Sequence, residues 1–114
     1  MQIEHIAIWV RDLEKTKNFY TTFFNMRYGE KYVNVKKQFS SYFLAFEGGA
    51  RIEIMHRPDI REQAEKAGTF FGVSHFAISV GSRERVDELQ NPSGRQVLKS
   101  QVSQEPQERA ITKV

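Results

Sequence analysis

Three side chains in this sequence have the types and the spacing to hold a divalent metal: His5, Glu53 and His75. Two imidazoles and a carboxylate form a common protein ligand set for zinc, nickel, manganese or iron(II). The histidines occupy one place in two similar segments, residues 3–10 (IEHIAIWV) and 73–80 (VSHFAISV). His5 matches His75, Ala7 matches Ala77, Ile8 matches Ile78 and Val10 matches Val80. Each segment has strand length and runs into a polar cap residue, Asp12 or Ser82, and then a stretch with helical spacing. A strand–helix unit that recurs is one module used twice. A histidine at the same strand position of both copies is expected to meet its counterpart across the pseudo-symmetry axis.

The strands decide where these groups point. Alternation along 3–10 puts Ile6, Ile8 and Val10 on one face, the natural core face, and His5, Ala7 and Trp9 on the other. In the run 50–56, Ile52 and Ile54 face the core, while Arg51, Glu53 and Met55 face away from it. Trp9 and Met55 are the candidate substrate-contacting residues; with Phe43, they either line a pocket or fill core. His56 shares parity with the isoleucines but ends its strand, and reads as structural or exposed.

Between these strands Asp12 reads as an N-cap. Leu13, Thr16, Tyr20, Phe23 and Phe24 follow at helical spacing, and Asn25 can close the helix. Strand-like runs cover about 28–35, 39–46 and 50–56, the last two joined by a tight turn at Glu47-Gly48-Gly49. The first module, 1–56, is therefore β-α-β-β-β, and the fold class is α+β. Residues 57–72 form a connector, in which Asp59 and Glu62 have capping-box spacing before a short helix. Residues 73–90 begin the second module with a strand and a helix from Ser82, with Val86 and Leu89 inward.

Bulk composition bounds the rest. A chain of 114 residues with 39% hydrophobic content is one small globular unit or two half-units sharing a core. The absence of cysteine excludes disulfides, thiolate metal sites and cysteine nucleophiles. No apolar run approaches the roughly 20 residues of a membrane span, and no secretion signal is visible, so a cytoplasmic location is expected. The net charge of +3 does not indicate nucleic acid, because residues 91–114 hold four basic and two acidic residues and the first 90 carry only +1.

Composition changes sharply near residue 90. All fourteen aromatic residues lie at or before Phe76, and only six of the last 24 residues are hydrophobic. Residues 91–114 read as a solvated, disordered tail, so the second module is truncated after its first strand and helix. Read as codons from the third nucleotide of the Gln90 codon, the tail permits EPFRQAGFEIASEPGTTGEGNYES. That string contains the aromatic strand and glycine-rich turn that the tail lacks. The expectation is a change of reading frame near Leu89.

The strings HIAIWVRDLEKTKNFY at 5–20, ARIEIM at 50–55 and GVSHFAISV at 72–80 resemble the vicinal oxygen chelate superfamily. It comprises glyoxalases, extradiol dioxygenases and the fosfomycin and bleomycin resistance proteins. The resemblance covers about residues 1–89. It implies paired βαβββ modules curled into an open barrel around one divalent metal, held here by His5, Glu53 and His75. It further implies a glyoxalase-like lyase that stabilises an enediolate-type intermediate of a small oxygenated substrate. The alternatives are a metal-free drug-binding module of the bleomycin-resistance type and a ring-cleaving dioxygenase. The fourth ligand of glyoxalase members comes from a strand absent here, so impaired activity is expected. Members often build sites across dimers, and an unfinished second module leaves strand edges open; a homodimer with no nucleic-acid or membrane partner is expected.

Overall fold

The computed structural model describes residues 1–62 and 71–91 and two strand segments within 103–113. The chain divides into two compact units, Met1–Glu62 and Gln63–Val114.

The first unit is built from β1 (His5–Trp9), α1 (Leu13–Phe23), β2 (Arg27–Tyr28), β3 (Tyr32–Asn34), β4 (Phe39–Ala45) and β5 (Arg51–His56). They form one sheet in the order β1-β5-β4-β2, with β3 also on β4. β1 runs parallel to β5, and the other pairs are antiparallel. The run expected at 28–35 is thus two short strands. Both lie along β4, and the Gly29 amide between them still reaches the Phe43 carbonyl at 3.3 Å. The turn before β5 uses Gly49 at φ +82, a left-handed conformation that a Cβ disfavours.

Register builds the core. Ile8, Ile54 and Tyr42 align across β1, β5 and β4, and Ile6, Ile52 and Leu44 align beside them. Leu44 and Ile54 are fully buried. α1 packs on β4 and β5 with Leu13, Phe19 and Tyr20 buried. It starts where the sequence places it: the Asp12 side chain accepts the Lys15 amide at 3.0 Å. It ends as Asn25 turns left-handed (φ 52), letting the Met26 amide fold back to the Tyr20 carbonyl.

A polar knot fastens the helix to the sheet. The Tyr42 hydroxyl donates to Glu14 Oε1 at 2.8 Å, and Lys31 Nζ lies 3.2 Å from the same oxygen. Lys17 Nζ sits 3.2 Å from Oε2 and 4.6 Å above the Tyr28 ring. The Tyr42 hydrogen bond, and then the two lysines, hold the Glu14 carboxyl below its ordinary 4.5. The bond to Glu14 lifts Lys17 above its ordinary 10.5. A carboxyl lowered in the folded state stabilises above its unfolded value, and that gain is lost as pH falls through the folded value. The lysine gain is present below its unfolded value and is lost as pH rises through the folded one. Glu14→Gln is therefore expected to flatten the acid limb of a plot of melting midpoint against pH. The change should be modest, because Glu14 is half exposed and solvent screens the pair. An acid limb as steep as wild type would show that Glu14 does not contribute.

The second unit contains β6 (Ala77–Ser79), α2 (Arg83–Leu89), β7 (Ser103–Gln104) and β8 (Ile111–Lys113), its strands antiparallel in the order β6-β8-β7. Ser82 caps α2 by accepting the Arg85 amide at 3.1 Å, and Val86 and Ile78 are buried. Two expectations change here. The strand at 73–80 shrinks to three residues, because its partner β8 is only three residues long. The tail, read from sequence without strands, supplies β7 and β8, segments too short for alternation to be seen in a sequence. The helix expected within the connector falls at 63–70, outside the described residues, as does most of the tail.

Candidate metal centre

The sheet face away from α1 carries His5, Trp9, Glu53 and Met55. Register places His5 beside Arg51, Ala7 beside Glu53 and Trp9 beside Met55. Across β4, Glu53 faces Phe43 and Met55 faces Ser41. The outward parity read from sequence for His5, Trp9, Glu53 and Met55 is thus the observed one.

His5 Nε2 stands 3.9 Å from Glu53 Oε1. That is too long for a hydrogen bond, and less than two metal–ligand bonds of about 2.0–2.1 Å laid end to end. The other ring nitrogen, Nδ1, is engaged by the Glu4 carboxylate. Glu4 lies one residue ahead of β1, so strand alternation does not force its side chain to the face opposite His5. Its remaining oxygen, Oε1, accepts from Arg51 Nε at 2.5 Å, and its carbonyl accepts the Arg51 amide at 2.9 Å. The hydrogen bond from His5 first, and Arg51 after it, hold the Glu4 carboxyl below its ordinary 4.5. Phe43 supports both partners: its ring meets the edge of His5 at 5.1 Å, and the Arg51 guanidinium lies 4.2 Å above it.

Further along this face, Trp9 is 44% exposed and Met55 is half-buried. Phe39 makes edge contacts to both Trp9, at 6.1 Å, and Tyr32, at 5.9 Å, and Arg57 lies over Trp9 at 5.3 Å. Ser41 is 1% exposed, and its hydroxyl has no partner among the described residues. An unsatisfied buried polar group costs about 1–3 kcal/mol. Ser41→Ala is therefore expected to stabilise the chain by about 1 kcal/mol, raising the melting midpoint by roughly 4–8 °C. A lower midpoint would show that the hydroxyl is satisfied in solution.

His56 is structural. Its Nδ1 donates to the Val10 carbonyl at 3.0 Å, tying the end of β5 to the end of β1.

A family model described as Glyoxalase/Bleomycin resistance protein/Dioxygenase superfamily matches residues 2–91. The chain belongs to this superfamily. No curated protein matches it. The family match ends at Asn91, where the composition of the chain changes.

Divalent metals are frequent in the Glyoxalase/Bleomycin resistance protein/Dioxygenase superfamily, and the first unit can be tested for fit. It offers one imidazole nitrogen and one carboxylate oxygen facing each other, with the second imidazole nitrogen already hydrogen-bonded. That donor pair suits a borderline or hard divalent ion. Among the described residues of either unit, no three histidine or acidic side chains are gathered as a metal group. His75 belongs to the second unit. It is exposed, two residues ahead of β6 rather than within a strand, with Nδ1 3.3 Å from Ser74 Oγ. No helix among the described residues is long and apolar enough to cross a membrane. Sequence reasoning missed Glu4 and Arg51. The 5-to-51 register that joins them is a long-range property, and no local pattern announces it.

Proposed function

We propose that the chain is a glyoxalase-like metalloprotein in which His5 and Glu53 of the first unit are ligands to a divalent ion. The observation that supports this most is the facing pair, His5 Nε2 and Glu53 Oε1, on the exposed side of the sheet. When bound, such an ion supplies Lewis-acid stabilisation to negative charge developing on two neighbouring substrate oxygens. The chain does the positioning. Parallel pairing of β1 with β5 sets the imidazole and carboxylate two register steps apart, and places Trp9 beside Met55 two register steps further on. A small oxygenated substrate with an apolar portion fits that order of groups. With no glutamate assigned as fourth ligand, catalysis is weak in this form of the chain.

The test is metal content after dialysis, followed by titration with cobalt(II), whose visible absorption reports ligand number. One tightly bound equivalent per chain is the expected result. A chain that takes up no zinc, nickel, manganese, iron or cobalt favours the second reading, a small-molecule-binding module of the bleomycin-resistance type. The exposed Trp9 beside Met55, with Phe39 against it, supports that reading.

We further propose a homodimer. Among the described residues β1 ends the five-stranded sheet, and exposed Met1 and Ile3 lead into it. Open strand edges recruit partners. Sizing chromatography coupled to light scattering at tens of micromolar is expected to give twice the chain mass of 13.3 kDa; a monodisperse monomer would refute it.

A further inference from the structure

We propose that Glu4 is a positioning residue for His5: it accepts the Nδ1 proton and so leaves the Nε2 lone pair bare on the side facing Glu53. This rests on the reading of His5 and Glu53 as metal ligands, and names the group that prepares one of them.

A carboxylate only accepts hydrogen bonds, so an imidazole nitrogen against it must bear the proton. In a neutral ring the other nitrogen is then unprotonated. Glu4 engages Nδ1, and Glu53 stands 3.9 Å from Nε2. The two carboxylates therefore flank one imidazole on its two different nitrogens. Glu4 is itself fixed. Its second oxygen and its backbone carbonyl are both taken by Arg51, and Arg51 is stacked on the Phe43 ring that His5 also touches. A carboxylate that is tethered by an arginine of the neighbouring strand is an orienting device. A free surface glutamate would swing into water. Ligating histidines generally give their second N–H to such a group, and its loss costs about 10–100-fold in metal affinity.

The experiment reads the proton directly. The three histidines of the full chain are resolved in long-range proton–nitrogen spectra recorded in alkaline buffer. His5 of the metal-free wild type is expected to carry its proton on Nδ1. In Glu4→Ala that preference is lost and Nε2 becomes protonated in a substantial share of molecules. Glu4→Gln, whose amide oxygen can still accept, keeps the wild-type tautomer. His56, held by the Val10 carbonyl, is the internal control and does not change. Cobalt(II) affinity falls about 10–100-fold in Glu4→Ala and less in Glu4→Gln, with melting midpoints unchanged because Glu4 is exposed. A wild-type His5 protonated on Nε2, or a Glu4→Ala spectrum identical to wild type, would overturn the proposal. If the wild type binds no cobalt, the metal reading fails, and the tautomer spectra still decide the role of Glu4.

Discussion

Ile54→Ala is expected to destabilise the chain by about 2–5 kcal/mol, the cost of removing buried methyl groups and leaving a cavity. Ile54 is fully buried, in register with Ile8 on one side and Tyr42 on the other, in the strand on which α1 packs. Small units of this size hold only on the order of 5 kcal/mol in total, so most of the folded population should be lost at physiological temperature. Ile54→Val keeps most of the volume and should cost about 0.5–1.5 kcal/mol. Ile8→Ala, at a half-buried position, should fall between them. Urea titrations of the three variants give the ranking directly. A loss of less than about 1 kcal/mol in Ile54→Ala would mean that the sheet does not pack on α1 as described.

His5→Ala and Glu53→Ala are each expected to abolish tight metal uptake while leaving the melting midpoint of the metal-free chain nearly unchanged. Both side chains lie on the sheet face away from the core, so the packed isoleucines beneath them are untouched. Each removes one of the two donors that face each other across β1 and β5. His75→Ala should lose affinity to a comparable degree if the second imidazole completes the set. Equal cobalt affinity in wild type and His5→Ala would refute the assignment of His5. Full retention in His75→Ala alone would leave the His5–Glu53 pair standing and remove His75 from it.

Much of this arrangement was legible because it depends on short-range rules. Alternation fixes which of His5, Ile6, Ile8 and Trp9 face the core, and the same parity in 51–55 places Glu53 with His5. Asp12, Asn25 and Ser82 mark helix ends by the backbone groups their side chains or conformations satisfy. Other features depend on partners that a local window does not contain. The interruption at 29–31 follows from how 27–34 follows β4. The short β6 follows from a short β8. Glu4 looks like an unremarkable charge beside a histidine until register brings Arg51 to it. The boundary near residue 90 was visible as a change of composition, and the family match stops there. Sequencing the gene across the codons around Leu89 decides whether a shifted open frame continues the second module. An uninterrupted frame with no aromatic-rich continuation in either alternative would reject that idea.

The parallel pairing of β1 with β5 has a kinetic side. It joins residues 46 positions apart, as in His5 with Arg51, while β4 and β5 are joined by a tight turn. Long-separation contacts form late, because the loop between them must close first. The sheet is thus expected to grow from the β4–β5 hairpin, with β1 zipping on as a last, peripheral strand. His5 and Glu53 lie on opposite sides of that final seam. An ion that bridges them would act as a clasp, slowing the peeling of β1 more than the opening of the hairpin. Hydrogen exchange at the β1 amides would register its arrival before any global melt did.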